Sequence, residues 1–158
     1  MKPNEKISQQ RREMQLSAID VADRGGVGRE AYRDIEAYED EAYTTVPLAN
    51  LRSIASILGL NLLSLFELPS AFCSNSQSGS IKILPRNLIV QEREKALGIG
   101  RSQLSDLIGF EEQTIARMES EPDFLEEWSV DLIVQLAKIL QVSPHLLIVA
   151  PCEHCGQG

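Results

Sequence analysis

Residues 16–36, LSAIDVADRGGVGREAYRDIE, are echoed 83 residues later by residues 99–119, IGRSQLSDLIGFEEQTIARME. The anchors register without a gap: Val21 with Leu104, Ala22 with Ser105, Gly26 with Gly109, Val27 with Phe110, Ile35 with Met118 and Glu36 with Glu119. Each stretch reads as two short helices on a tight turn. In the first, Ser17 is the N-cap expected of a helix over about 18–24. Gly25-Gly26 is expected to supply positive φ for the turn without a Cβ clash. A helix over about 28–37 then turns Ala31, Tyr32 and Ile35 inward, while Arg29, Glu30, Arg33 and Asp34 point elsewhere. In the second stretch, helices over about 101–108 and 112–119 flank Gly109-Phe110.

Outward from these stretches the halves continue alike. Ile7 to Met14 predicts a first helix over about 4–15. Residues 38–46, YEDEAYTTV, read as an acidic connection, more a solvated loop than a metal site. Pro47 suits the first turn of a fourth helix. Its stripe is Leu48, Leu51, Ile54, Ala55 and Leu58, with Gly59 as terminator. Asn61 caps a short fifth helix carrying Leu62, Leu65 and Phe66. In the second half a helix over about 86–97 comes first. Ser129 caps a later one bearing Val130, Ile133, Leu136, Ala137 and Leu140, and Ser143-Pro144 form the N-cap and N1 pair of a last helix over about 144–149. Ala55 matches Ala137 at an offset of 82, so one residue is missing before that fourth helix. Such a period is too long for a solenoid repeat. The expected fold class is all-α, two tandem five-helix domains. Residues 1–68 form the first domain, 69–84 a Ser-rich linker, 85–150 the second domain and 151–158 a Cys/His-containing tail. Within the linker, IKIL at 81–84 reads as a short strand or an extended docking segment. About 17 flexible residues have a root-mean-square span of roughly 20–25 Å.

The 158 residues are rich in Leu and Ile and poor in aromatics, which favours packed helices over a β sandwich. Two helices on a glycine-containing turn are the unit that lays one helix in a DNA groove. A net charge of −8 argues against a polyanionic partner, although a local patch matters more than the sum. Residues 1–69 hold eight basic and eleven acidic side chains, and residues 86–150 hold six and eleven, so the first half is the less repulsive to phosphate. The N-terminal MKPNEKISQQRREM lacks an apolar segment of the secretory kind, and no apolar run reaches the ~18 residues that span a bilayer. With three cysteines, the expected setting is a reducing cytoplasm, without membrane attachment.

These motifs resemble the phage-repressor or Cro-type helix-turn-helix family, also called the XRE family. The likeness rests on Arg11 in helix one, the S-x-x-x-V-A segment Ser17 to Ala22, Gly26-Val27, the Ile35-Glu36 ending, and LRSIASILGLNLLSLF at 51–66. Gly109-Phe110, Met118-Glu119 and QLAKILQVSPHLL at 135–147 carry it in the second half. It covers all but the linker and tail, and it implies lambda-repressor-like domains. In that family the helix-one Arg pairs with the Glu ending helix three, which implies Arg11 with Glu36. The second half has Glu94 at the Arg11 position, facing Glu119, with Arg93 as the nearby compensating charge. Family members read bases from the start of helix three, which implies Gly28, Arg29, Glu30, Arg33 and Asp34. There Arg29 would fork onto guanine and Glu30 would accept from cytosine N4. The alternative is a solvated or partner-facing surface. The family's phosphate-clamping Gln is replaced by Ala18 in the first half and by Arg101 in the second.

The candidate DNA-contacting residues are therefore Arg11, Arg12, Ser17, Gly28, Arg29, Glu30, Arg33 and Asp34, with Arg101, Gln113, Thr114 and Arg117 from the second half. Glu111 and Glu112 suit a helix start and suit a phosphate backbone badly. The tail PCEHCGQG offers Cys152, His154 and Cys155 as zinc ligands, with Cys73, His145 or a second chain to complete a set. The weightier reading is a polar tail with no metal. His145 reads as a surface or cap-adjacent histidine, and Trp128 as a staple on the next helix. No catalytic motif is present, so neither an enzyme nor a cofactor is expected. The expected function is sequence-specific regulation of transcription on double-stranded DNA. In it, the second half serves as a pseudo-dimer partner or pairs with another chain. The alternative is an acidic protein–protein module, antitoxin- or adaptor-like, that kept the fold and lost DNA.

Overall fold

A computed structural model describes residues 1–68 and 84–148. Residues 81–83 of the IKIL segment, the rest of the linker, and the tail with Cys152, His154 and Cys155 lie outside the described residues. Among the described residues the chain is all helical, with no strand. It divides into two compact units, one of residues 1–68 with Ser129–Asp131 and the other of the remaining described residues, each helix being counted with the unit that holds most of it.

The first unit contains α1 (Pro3–Glu13), α2 (Ala18–Gly25), α3 (Arg29–Ala37), α4 (Glu41–Thr44), α5 (Leu48–Leu58) and α6 (Leu62–Leu65). The second contains α7 (Arg86–Leu97), α8 (Arg101–Ile108), α9 (Glu112–Ser120), a 3-10 turn (Phe124–Glu127), α10 (Val130–Leu140) and α11 (His145–Ile148). The internal repeat is visible in the element starts. Pro3 and Arg86, Ala18 and Arg101, Arg29 and Glu112, and Glu41 and Phe124 are each 83 apart, whereas Leu48 and Val130 are 82 apart. The missing residue therefore lies between the 3-10 turn and α10.

Core positions follow the same register. Ile7 and Val90, Val21 and Leu104, Tyr32 and Ile115, Ile35 and Met118, Ile54 and Leu136, and Leu58 and Leu140 are all buried. Each such side chain withdrawn from water contributes about 1.5–3 kcal/mol, so the apolar pattern rather than helix propensity holds these short helices. Backbone signs repeat too. Positive φ occurs at Gln15 and Gly98, at Gly26 and Gly109, and at Gly59 and Gln141. Each of these residues follows a helix at the same place in its unit.

Several local expectations are corrected. Residues 38–46 are not a plain connection, because α4 buries Ala42 within them, and Val46 is buried as well. With α4 or the 3-10 turn included, each unit has six helical elements rather than five. Pro47 is the N-cap of α5, directly before its first turn. Ala31 faces solvent, since the inward stripe of α3 is Tyr32 and Ile35 alone. Phe66 lies just past the end of α6, half-exposed and tilted against Tyr43 at 5.4 Å between ring centroids. Ser143 does not cap α11: its Oγ is buried without a hydrogen-bond partner among the described residues.

Gly25 is the last residue of α2, in helical conformation, and only Gly26 has positive φ, at 71°. Gly25 is needed for packing. A Cβ there would lie 2.6 Å from Ile54 Cγ1, because α2 packs directly on α5. Asn50 of α5 fastens the same turn by donating to the Gly25 carbonyl at 3.1 Å and to the Gly26 carbonyl at 3.0 Å. The second unit locks its turn differently, with Ser105 Oγ donating to the Phe110 carbonyl.

Candidate nucleic-acid interface

In the first unit the α2–turn–α3 segment presents the start of α3 to solvent. Ser17 caps α2: its Oγ accepts from the Asp20 N–H at 3.0 Å and donates to Asp20 Oδ2 at 2.6 Å. Gly28 is the N-cap of α3, with φ −64°, and a Cβ there would meet nothing within 4 Å. Neither backbone conformation nor internal packing asks for glycine at that position. Arg29, Glu30, Arg33 and Asp34 are all exposed. Arg29 leans toward Asp23 at 3.6 Å with both side chains largely in solvent. Such a pair contributes about 0–1 kcal/mol and is readily exchanged for a better partner. Arg12, Arg24 and Arg33 make no side-chain ion pair or hydrogen bond with the described residues.

Arg11 is not available to a ligand. Its Nε and Nη2 donate to the two carboxylate oxygens of Glu36 at 2.6 and 2.8 Å, and Nη1 donates to the Leu16 carbonyl at 3.0 Å. Both side chains are only 15% exposed. Burial works against the ionised Glu36, but the Arg11 guanidinium, helped by Tyr32 and the charge of Arg12, outweighs it, and the carboxyl sits below its ordinary pKa. The pair ties the end of α1 to the end of α3 and so fixes how α3 is presented.

The second unit reaches the same end by another route, with different side chains. Arg101, half-exposed, is paired within its own unit. It donates from Nε and Nη2 to Glu119 Oε2 at 3.0 and 2.5 Å. Arg93 does not compensate Glu94, because its Nε donates to the Leu140 carbonyl at 2.9 Å. The guanidinium that meets the α9 glutamate has moved from the first helix of the unit to the second. Glu94 is left only 8% exposed, and burial, followed by the neighbouring Glu119, pushes its carboxyl up to about 7. Arg117 is also committed: it bridges to Glu121 at 3.1 Å and Glu127 at 3.5 Å and stacks over the Phe124 ring at 4.5 Å. Gln113 is exposed and Thr114 half-buried, beside Glu111, the N-cap of α9, and Glu112.

Trp128 stacks on Phe110 with centroids 4.8 Å apart and meets the edge of Phe124 at 5.9 Å. It is a core residue holding the α8–α9 turn to the 3-10 turn. His145 is buried rather than at the surface, and burial lowers its pKa. Among the described residues no cluster of three His, Cys, Asp or Glu stands in metal-holding geometry, and no helix is long and apolar enough to cross a membrane.

The chain matches no family model, no curated protein and no solved structure. Sequence reasoning passed over Arg24, which with Arg52, Ser53 and Ser56 lines a shallow cleft where α2 meets α5. Its only signal was a basic residue near the end of a helix, next to a turn already in view.

Proposed function

We propose that the chain is a DNA-binding transcriptional regulator of the phage-repressor or Cro type, in which the first unit reads double-stranded DNA through a helix-turn-helix made of α2 and α3. The observation that carries this reading is the solvent-facing start of α3. There Arg29 and Arg33 stand at the edge of a turn fixed by Gly26, Asn50 and the Arg11–Glu36 pair. Gly28 lets a duplex approach the α3 backbone, and Arg29 has the fork that matches guanine O6 and N7. Arg12 supplies a phosphate contact.

Selection of bound duplexes from a random pool, followed by affinity measurement at fixed salt, tests it. Arg29→Ala is expected to weaken the selected site by about 1–3 kcal/mol while leaving random duplex nearly unchanged; Arg12→Ala weakens both alike. Equal losses from the two changes remove Arg29 as a base reader. No retention of the wild-type protein on duplex at about 50 mM salt removes DNA from the reading altogether.

A second reading, a protein-interaction module that kept the fold, is favoured by one observation. The arginines Arg101 and Arg117 of the second unit are spent on glutamates of their own unit. On either reading the second unit is the protein-facing half.

A further inference from the structure

The two units solve one problem with different residues, and the second solution leaves a gap. In the first unit the Arg11 guanidinium lies between the Glu36 carboxylate and the Leu16 carbonyl. The equivalents of these three residues, 83 positions on, are Glu94, Glu119 and Ile99. All three line a cleft of about 540 Å³ between α7, the start of α8 and α9. Glu94 has a shorter side chain than arginine and carries no donor fork. One of its oxygens, Oε1, is buried and has no hydrogen-bond partner among the described residues. Arg101 meets only Oε2 of Glu119, and it approaches from the exposed start of α8. While Glu94 keeps its proton it hydrogen-bonds the neighbouring Glu119 carboxylate; once ionised it faces that carboxylate with a buried oxygen, which is costly unless an outside donor reaches it.

We propose that this cleft binds a guanidinium group supplied from outside the chain, either a partner protein's arginine side chain or a small guanidinium solute, in the place that Arg11 fills in the first unit. The planar fork is the group whose geometry satisfies a carboxylate and a backbone carbonyl together. The charged groups around Glu94 are Lys95 on its own helix, Arg101 on α8 and Glu119 on α9, with Glu112 of α9 acting on Arg101. Arg101 offsets Glu119, so the bound cation answers to Glu94. Entry requires Glu94 to be ionised, so binding displaces its proton and strengthens as pH rises through about 7. The site uses no residue of the first unit and stands or falls independently of DNA reading.

The test is an amide-resolved NMR titration of the full chain with methylguanidinium, run in parallel with a blocked Gly-Arg-Gly peptide. Tetramethylammonium at equal ionic strength is the control. Saturable shifts at Ile99, Gly100 and Arg101 are expected with both guanidinium probes and not with the control, roughly tenfold weaker near pH 6 than near pH 8. Glu94→Gln should weaken binding at least about tenfold and flatten the pH dependence. Glu94→Arg should abolish it by filling the cleft from within. A peptide bound more than tenfold tighter than methylguanidinium assigns the site to a partner protein, and equal affinities assign it to a solute. Absence of saturable shifts, equal shifts with tetramethylammonium, or full binding by folded Glu94→Arg overturns the proposal.

Discussion

Positions 11 and 94 carry opposite charges against equivalent glutamates, and the consequences differ in sign. Arg11→Ala strands a largely buried Glu36. The expected cost is about 2–3 kcal/mol, below that of a fully enclosed pair because some solvent reaches both groups. Urea unfolding followed at the first unit's own NMR signals measures it. Glu94 behaves as an acid whose folded pKa is raised to about 7 by burial and then by Glu119. Its contribution is fully present below the unfolded value of about 4.3 and is lost as pH rises to about 7, with no further slope above. Unfolding of the second unit across that window should show stability falling with pH, and Glu94→Gln should remove that component. A slope unchanged by the substitution would place the titration elsewhere. Glu36 has the reverse dependence: its carboxyl is lowered, so the first unit loses stability as pH falls below the ordinary carboxylate range.

At the level of the element, the two glycine turns are fastened by different donors, and each is open to substitution. Gly25→Ala places a methyl 2.6 Å from Ile54 Cγ1 and should destabilise the first unit by about 1–3 kcal/mol. Ile54→Ala removes the contacted atom, so the double variant should deviate from additivity, a coupling that thermal unfolding of the four forms detects. Asn50→Ala releases the two carbonyls at the end of α2 and should cost about 1 kcal/mol; Ser105→Ala should do the same to the second unit alone. The helix starts diverge in the same way. Where Ser17 caps α2 with its own side chain, the second unit has Gly100, and Gln103 reaches back to the Gly100 N–H at 2.9 Å. Equivalent backbone thus persists while the side chains that satisfy it change. This is the pattern expected when burial fixes the fold and local hydrogen bonds are interchangeable.

Over the whole molecule, what was legible in the sequence was what depends on apolar spacing. The stripe Leu48, Leu51, Ile54, Ala55 and Leu58 and its counterpart from Val130 to Leu140 define helices by periodicity, and the repeated register doubles the signal. The short elements were not legible. Within α4 only Ala42 is buried, and the 3-10 turn offers just Phe124 and Leu125, too few positions to show a period. The candidate site was legible as a set of positions but not as a set of free charges. Register puts Arg101 opposite Ala18 and says nothing of its reach to Glu119, which depends on Glu94 having vacated the pairing role. His145 misled because a helix-start histidine after Ser-Pro looks exposed, whereas its ring sits in the core of the second unit. Trp128 is the only tryptophan in the chain, stacked on Phe110 and edge-on to Phe124. Indole emission therefore reports the melting of one unit while the far-ultraviolet dichroism reports both. Noncoincident curves from those two probes would reveal separate cooperative transitions, without any label attached to the protein.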